Sequence, residues 1–243
     1  MKHLHKTLAV IIGRAGSKGL PGKNTLVIAG RPMIEFSIED ALNSRTVDQT
    51  IVSTDSQAIA DTARRMRVRV IDRPQLLASD TATVDSAVRH AVETNATPHE
   101  IIVILYANVP VRPDDLIDRA VDLLVSSGAD SVQSYSTVGK HHPYWMIRMD
   151  AEGRVAPYVA NTVYRRQDLP PLLLPDGGVI AVTRNSLFTV DPAQPHAFLG
   201  TDRRGILSQD GSVVDIDGPA DLALAETILV HQASRPCVDS VTC

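Results

Sequence analysis

The chain has 243 residues, of which 44% are hydrophobic and 21% charged, and its net charge is −4. That length suits one large α/β domain able to bury a substantial core, and the acidic balance argues against nucleic acid, whose binders carry a basic face. No apolar run approaches the roughly 20 residues that cross a bilayer, no leader pattern opens the chain, and Cys237 and Cys243 lie in a polar tail, so a cytoplasmic protein without membrane contact or a disulfide framework is expected.

Leu8 to Ile12 reads as a buried strand, and residues 32–44 carry a helical apolar face. Residues 50–55 form the next predicted strand, followed by a helix over 56–67 that opens on the N-cap residue Ser56. A strand over 68–73 and a helix over 81–95 repeat the alternation. The wholly apolar run 101–107 suits a central parallel strand covered on both faces. Residues 113–128 begin with a proline and two aspartates and end on a glycine, the punctuation of a helix. Between 134 and 175 the pattern loosens into tyrosines, prolines and basic residues, which predicts an inserted irregular or hairpin segment. Strands over 177–184 and 212–217 and a helix over 219–232 complete a single domain spanning 1–233, with a frayed tail over 234–243. Alternation of this kind predicts right-handed βαβ units and a doubly wound, three-layer α/β fold. Ligands then belong beyond the carboxyl ends of the strands.

The first such loop, IIGRAGSKGLPGKN over residues 11–24, gathers glycines and positive charge behind the first strand. It is not a Walker A loop, because Ser17 stands where the first glycine belongs and Asn24 follows Gly22-Lys23. Gly13, Gly16 and Gly19 do not fit the dinucleotide spacing either. Backbone N–H groups freed by glycine, together with Arg14, Lys18 and Lys23, can still cradle phosphates. A solvated basic turn is the plain alternative.

The stretch resembles the signature of the acylneuraminate cytidylyltransferases, the CMP-sialic acid synthetases, in which an arginine and a Gly-Ser-Lys-Gly-hydrophobic-Pro-Gly-Lys-Asn run follow the first strand. Later blocks resemble the same family in the same order: VSTDSQAIADTA, RPQLLASDTATVDSAV, PVRPDDLIDRAVDLL, RRQDLPP and VDIDGPADLALAE. The resemblance runs from Leu8 to Val230. It implies a nucleotidyltransferase fold with a protruding dimerisation segment, placed over 134–175, and a homodimer. The activity implied is transfer of CMP from CTP to the 2-hydroxyl of a nine-carbon α-keto sugar acid, with release of pyrophosphate and with Mg2+ as cofactor.

By the same resemblance Arg14, Ser17, Lys18 and Lys23 would meet the triphosphate, with Gly13 at the strand end and Arg14 and Lys23 neutralising charge on the transferred group. Asp215 and Asp217 are the metal candidates: two positions apart on a strand, both carboxylates would face one site, and magnesium takes one or two carboxylates plus substrate phosphates. Asn24 and Arg73 would contact the cytidine, with Ser79, Asp80 and Thr81 nearby, although Asp80 and Thr81 fit equally the N-cap of the next helix. Asp55 fits a site residue or a turn residue. Arg166 and Gln167 match the family's sugar contacts. Two departures fall on the sugar side. Tyr106 stands where the family has glutamine, and Asp176 stands where relatives have asparagine. His141, His142 and Trp145 read as packing within the inserted segment. Two rival readings remain: a nucleotidyltransferase for an eight-carbon keto sugar acid, and a sugar-nucleotide binding relative without catalysis.

Overall fold

The structure, a computed structural model, describes residues 5–16, 20 and 22–234. Its first half alternates as the apolar runs dictate. Strand β1 (Thr7–Ile12) leads through the glycine loop to a short hairpin, β2 (Val27–Ile28) and β3 (Arg31–Pro32), and to helix α1 (Ile34–Asn43). Then come β4 (Gln49–Thr54), α2 (Gln57–Arg65), β5 (Arg69–Asp72), α3 (Val84–Asn95), β6 (Ile101–Tyr106) and α4 (Leu116–Ser127). The second half adds β7 (Ser131–Thr137), the small hairpin β8 (Ile147–Met149) and β9 (Val155–Pro157), β10 (Leu173–Thr183), α5 (Arg184–Leu187), β11 (Arg203–Leu207) and α6 (Pro219–Ala233).

The local signals explain most boundaries. The Ser56 side chain accepts a hydrogen bond from Ile59 N and starts α2. Gly128, at φ 67°, stops α4 in the left-handed conformation. Helix α4 begins at Leu116 and not at Pro113, because residues 113–115 form a turn closed by Leu116 N on Pro113 O at 3.0 Å.

One seven-stranded sheet carries the domain, in the order β11-β7-β10-β6-β1-β4-β5. Strands β1, β4, β5 and β6 run parallel, and β10 is antiparallel to both β6 and β7. Period-2 alternation sorts the core into two layers. Ala9 and Ile11 of β1 point with Val103 and Leu105 of β6 toward α1, α2 and α4. Leu8, Val10 and Ile12 point with Ile102 and Ile104 toward α3. Each fully buried Leu or Ile adds roughly 1.5–3 kcal/mol of hydrophobic stabilisation. Helix α6 closes a third, smaller core against Ile28, Met33, Val111 and Val214. The doubly wound α/β expectation holds. The chain winds from β1 out to β5 and returns to place β6 on the other side of β1, so the crevice between the carboxyl ends of β1 and β6 is the switch point where ligands bind.

Three expectations need correction. Residues 134–137 and 173–175 are not part of an irregular insertion, because they pair in β7 and β10. The segment leaving the sheet therefore spans 138–172 and carries the β8–β9 hairpin. Edge strand β11 had no predicted counterpart; its two arginines suit an edge, where charge blocks further pairing. The predicted strand over 212–217 reduces to one isolated bridge, Val111 to Val214, because the sheet edge is already occupied by β11. The predicted tail over 234–243 lies, beyond Ser234, outside the described residues.

Candidate active site

A cleft of about 290 Å³ opens at the switch point. The end of β1 supplies Gly13 and Arg14, and the short turn Lys23–Thr25 supplies Lys23 and Asn24. Arg73 follows β5, Leu77, Ser79 and Asp80 come from the next loop, and Tyr106 and Asn108 come from the end of β6. Gly13 is a steric necessity: a Cβ there would lie 2.8 Å from the Ala107 Cβ. The loop after β1 is tied to β4 by Asp55, whose Oδ1 accepts the Ala15 N–H at 2.8 Å.

Asn24 is buried and aimed. Its Nδ2 donates to the Arg14 carbonyl at 2.9 Å, while its Oδ1 is buried without a partner. Arg73 is equally fixed, with Nη2 on Ser53 O at 2.6 Å and Nε on Ser53 Oγ at 3.2 Å. Burial pulls its guanidinium pKa down to about 10, with Asp55 pulling the other way, so it remains a cation at neutral pH. Arg14 pairs with Asp80 at 2.9 Å across the cleft.

The segment 214–217 returns alongside Asn108. Ile216 N donates to Asn108 O at 2.9 Å, and Asn108 Nδ2 donates to Asp215 Oδ1 and to Ile216 O. Asp215 is largely buried, and that burial, with Asp217 beside it, pushes its pKa up to about 6. Asp217 is exposed and bonded to Lys23 Nζ at 2.8 Å. Tyr106, buried and near Asp215, has its phenol pKa pushed up to about 12 and stays neutral. Thr83, Val84 and Tyr106 also line a second cleft of about 390 Å³, walled by Gln133, Tyr135, Phe198 and Arg203.

Arg14 and Lys23, the buried amide of Asn24 and, through Asn108 and Lys23, the carboxylates of Asp215 and Asp217 thus gather near one switch point. The cytidylyltransferase family profile matches residues 8–155. The chain belongs to the cytidylyltransferase family. It is 32% identical over 237 residues to the CMP-N,N'-diacetyllegionaminic acid synthase of Legionella pneumophila, covering 92% of this chain and 96% of that one. It is 34% identical over 176 residues to the N-acylneuraminate cytidylyltransferase of Streptococcus agalactiae, covering 72% of this chain but only 42% of that longer protein. The chain thus spans about two fifths of the length of the streptococcal relatives it matches. The structure of CMP:2-keto-3-deoxy-manno-octonic acid synthetase complexed with CTP superposes with a TM-score of 0.72 at 16% identity, covering 93% of this chain and 99% of that one, a likeness of fold.

Within this cytidylyltransferase fold the expected site residues do not all meet. Gly13, Arg14, Lys23, Asn24, Arg73, Ser79 and Asp80 line the first cleft, and Tyr106 stands between the two clefts. Ser17 and Lys18 lie outside the described residues. Thr81 is exposed and shares a 3.3 Å contact with Ser79 Oγ. The N-cap of α3 is Thr83, not Asp80 or Thr81; its hydroxyl accepts from Ser86 N. Asp215 and Asp217 are not alternate residues of a strand, as the 212–217 expectation required, but residues of a loop held by Asn108. Arg166 and Gln167 sit exposed on the segment 138–172 and line neither cleft. Asp176 accepts from Ser134 Oγ and from Gly178 N at 2.9 Å, and so faces its own turn. In the same segment His142 is buried, bonded to Pro170 O at 3.1 Å and set edge-on against Tyr144. Sequence reasoning missed Asn108; the cue was a polar side chain one residue beyond the apolar run 101–107.

Proposed function

We propose that the protein transfers CMP from CTP to the 2-hydroxyl of a nine-carbon α-keto sugar acid and releases pyrophosphate. The observation that carries this reading is the buried, unpartnered Oδ1 of Asn24 in a cleft whose mouth holds Arg14 and Lys23. An acceptor fixed this way suits the exocyclic amine of cytosine, and cations at the mouth suit a triphosphate. Arg73 supplies a second fixed donor for the base. The sugar acid would occupy the second cleft, with Tyr106 at the seam. The relatives at 32–34% identity act on N-acylneuraminic and N,N'-diacetyllegionaminic acids, and they weigh more than the octonic acid of the fold neighbour at 16%. In the transfer the sugar hydroxyl gives up its proton to solvent, its oxygen bonds to the α-phosphorus, the bond from the α-phosphorus to the bridging oxygen breaks, and Lys23 and Arg14 balance charge on the departing pyrophosphate.

The donor set fits Mg2+. Asp215 and Asp217 offer hard oxygens close enough for one charge to raise the pKa of the other. Among the described residues no group of three or more His, Cys, Asp or Glu is placed to hold a metal, so an ion at this pair would take its remaining ligands from substrate phosphates and water. When bound there, the ion would neutralise phosphate charge and orient the α-phosphorus.

The segment 138–172 is proposed to pair with a second copy of the chain. Trp145, Met146, Ile147, Met149, Val155 and Tyr158 expose apolar surface on one protrusion, which is atypical of a monomer. Light scattering should return a dimer, and Ile147→Glu with Met149→Glu should return a monomer. Activity is tested by following pyrophosphate from each NTP with Mg2+ and a panel of keto sugar acids. Release confined to CTP with a nine-carbon acid is expected; release with none of them overturns the reading.

A further inference from the structure

Arg112 is the only arginine whose side chain has no exposed surface among the described ion pairs, and it lies outside both clefts. Its Nη1 pairs with Asp40 near the end of α1, and its Nε donates to the Gly178 carbonyl at 2.6 Å. Burying a guanidinium is costly, and a hydrophobic pair of similar volume usually serves stability as well or better. Stability is therefore a poor account of this arginine, and its grip on Gly178 is a better one.

Gly178 lies in a break of the sheet. The register of β10 against β7 shifts between Pro175 and Ile180, the mark of a bulge, and bulges re-aim side chains beside active sites. Gly177 is favoured by its left-handed φ and Gly178 by close approach. A Cβ on Gly177, which has φ +77°, would lie 3.0 Å from Asp215 Oδ2, and a Cβ on Gly178 would lie 2.8 Å from Leu116 Cδ2 and from Ser134 Oγ. The backbone of Gly177 is thus one wall of the Asp215 carboxylate, and Asn108 is the other. The segment 108–112 sets both walls. Its backbone and Asn108 hold residues 214–216 through Val111 and Asn108, and its Arg112 side chain holds the bulge.

We propose that Arg112 is a positioning residue for nucleotidyl transfer: braced by Asp40, it fixes the 176–179 bulge against Asp215 and so sets where that carboxylate presents its oxygens. The proposal rests on the reading of Asp215 as part of the active site. Outer residues of this kind change metal affinity or turnover by roughly 10- to 100-fold when lost.

The test uses the full chain and four proteins: wild type, Arg112→Lys, the double variant Asp40→Asn with Arg112→Met, and Asp215→Asn. Lysine keeps a charge for Asp40 but cannot also reach Gly178. The double variant removes both buried charges together, so no ion is left unpaired and folding survives. Melting temperature, kcat and KM for CTP, and Mn2+ binding by electron paramagnetic resonance are measured on each. Arg112→Lys and the double variant should melt near wild type with KM for CTP changed less than about threefold, while kcat and Mn2+ affinity each fall roughly 10- to 100-fold. Wild-type kcat and Mn2+ affinity in the double variant, alongside loss of both in Asp215→Asn, would overturn the role of Arg112 alone. Wild-type kcat in Asp215→Asn would overturn the site reading and the proposal together.

Discussion

The ammonium of Lys23 lies 2.8 Å from the carboxylate of Asp217, 194 residues further along the chain. A cation suited to phosphate and a carboxylate suited to a metal are each other's counter-ion, with Lys23 14% exposed and Asp217 78% exposed. With Asp217 open to solvent the attraction is screened and adds little to stability, so a metal-bound triphosphate could replace both halves at once. Asp215→Asn and Asp217→Asn should each lower kcat about 100-fold or more, with small changes in melting temperature. Near wild-type turnover of both at saturating Mg2+ would place the metal elsewhere.

In the proposed site the orientation of Asn24 selects the base. Its amide cannot flip, because Nδ2 is committed to the Arg14 carbonyl at 2.9 Å and a flip would face two acceptors. In the proposed site Oδ1 is the group offered to the base, which favours the amine of cytosine and opposes the carbonyl of uracil. CTP should be preferred to UTP, ATP and GTP, and Asn24→Ala should cut kcat/KM for CTP about 10- to 100-fold while narrowing the CTP-to-UTP ratio. Equal wild-type turnover of UTP and CTP would refute the base assignment.

The parallel half of the sheet was legible because each of its strands is an apolar run bounded by turn signals and followed by a helix with a readable start or stop. Strand β7 was not, since SVQSYST is mostly polar, and its burial depends on contacts distant in sequence. Ser131 Oγ is satisfied by Leu199 O at 2.7 Å, and Ser134 Oγ by the turn around Asp176. The glycine-rich loop after β1 was legible as a local motif. Asn108 was not, because its partner Asp215 arrives 107 residues later. Asp176 also has a local role that no sequence cue announced: its Oδ1 accepts from Gly178 N and Ser134 Oγ at the bulge, while its buried Oδ2 has no partner among the described residues.

Asp118 provides a pH-dependent lock far from these clefts in sequence logic. Ser44 Oγ donates to its Oδ1 at 2.6 Å, Thr46 Oγ1 at 2.9 Å and Thr46 N at 3.2 Å. Burial alone would push this carboxyl up, but these hydrogen bonds more than offset it and hold the pKa below its ordinary 3.8. A depressed acid stabilises the fold above its unfolded pKa and loses that contribution as pH falls through the folded value. Asp118→Asn should therefore cost roughly 1–3 kcal/mol at neutral pH, and the gap to wild type should close below about pH 4. Urea unfolding across that range checks it; a gap independent of pH would show that the ionised form is not what the turn binds.

In the proposed site Tyr106 is the residue that meets the sugar. It ends β6, lines both clefts, and keeps its phenol proton because burial and the nearby Asp215 push its pKa to about 12. A neutral phenol offers one hydroxyl and an apolar ring, whereas the family's glutamine offers a donor and an acceptor side by side. Asp176 differs in kind, since its Oδ1 is occupied by Ser134 and Gly178. Tyr106→Gln should therefore raise kcat/KM for N-acetylneuraminic acid relative to the acid wild type prefers, and Asp176→Asn should leave that ratio within about twofold, because an asparagine oxygen can still accept both hydrogen bonds. Competing sugars at fixed CTP read the ratio directly. A shift produced by Asp176→Asn but not by Tyr106→Gln would move sugar recognition from the seam of the clefts to the bulge.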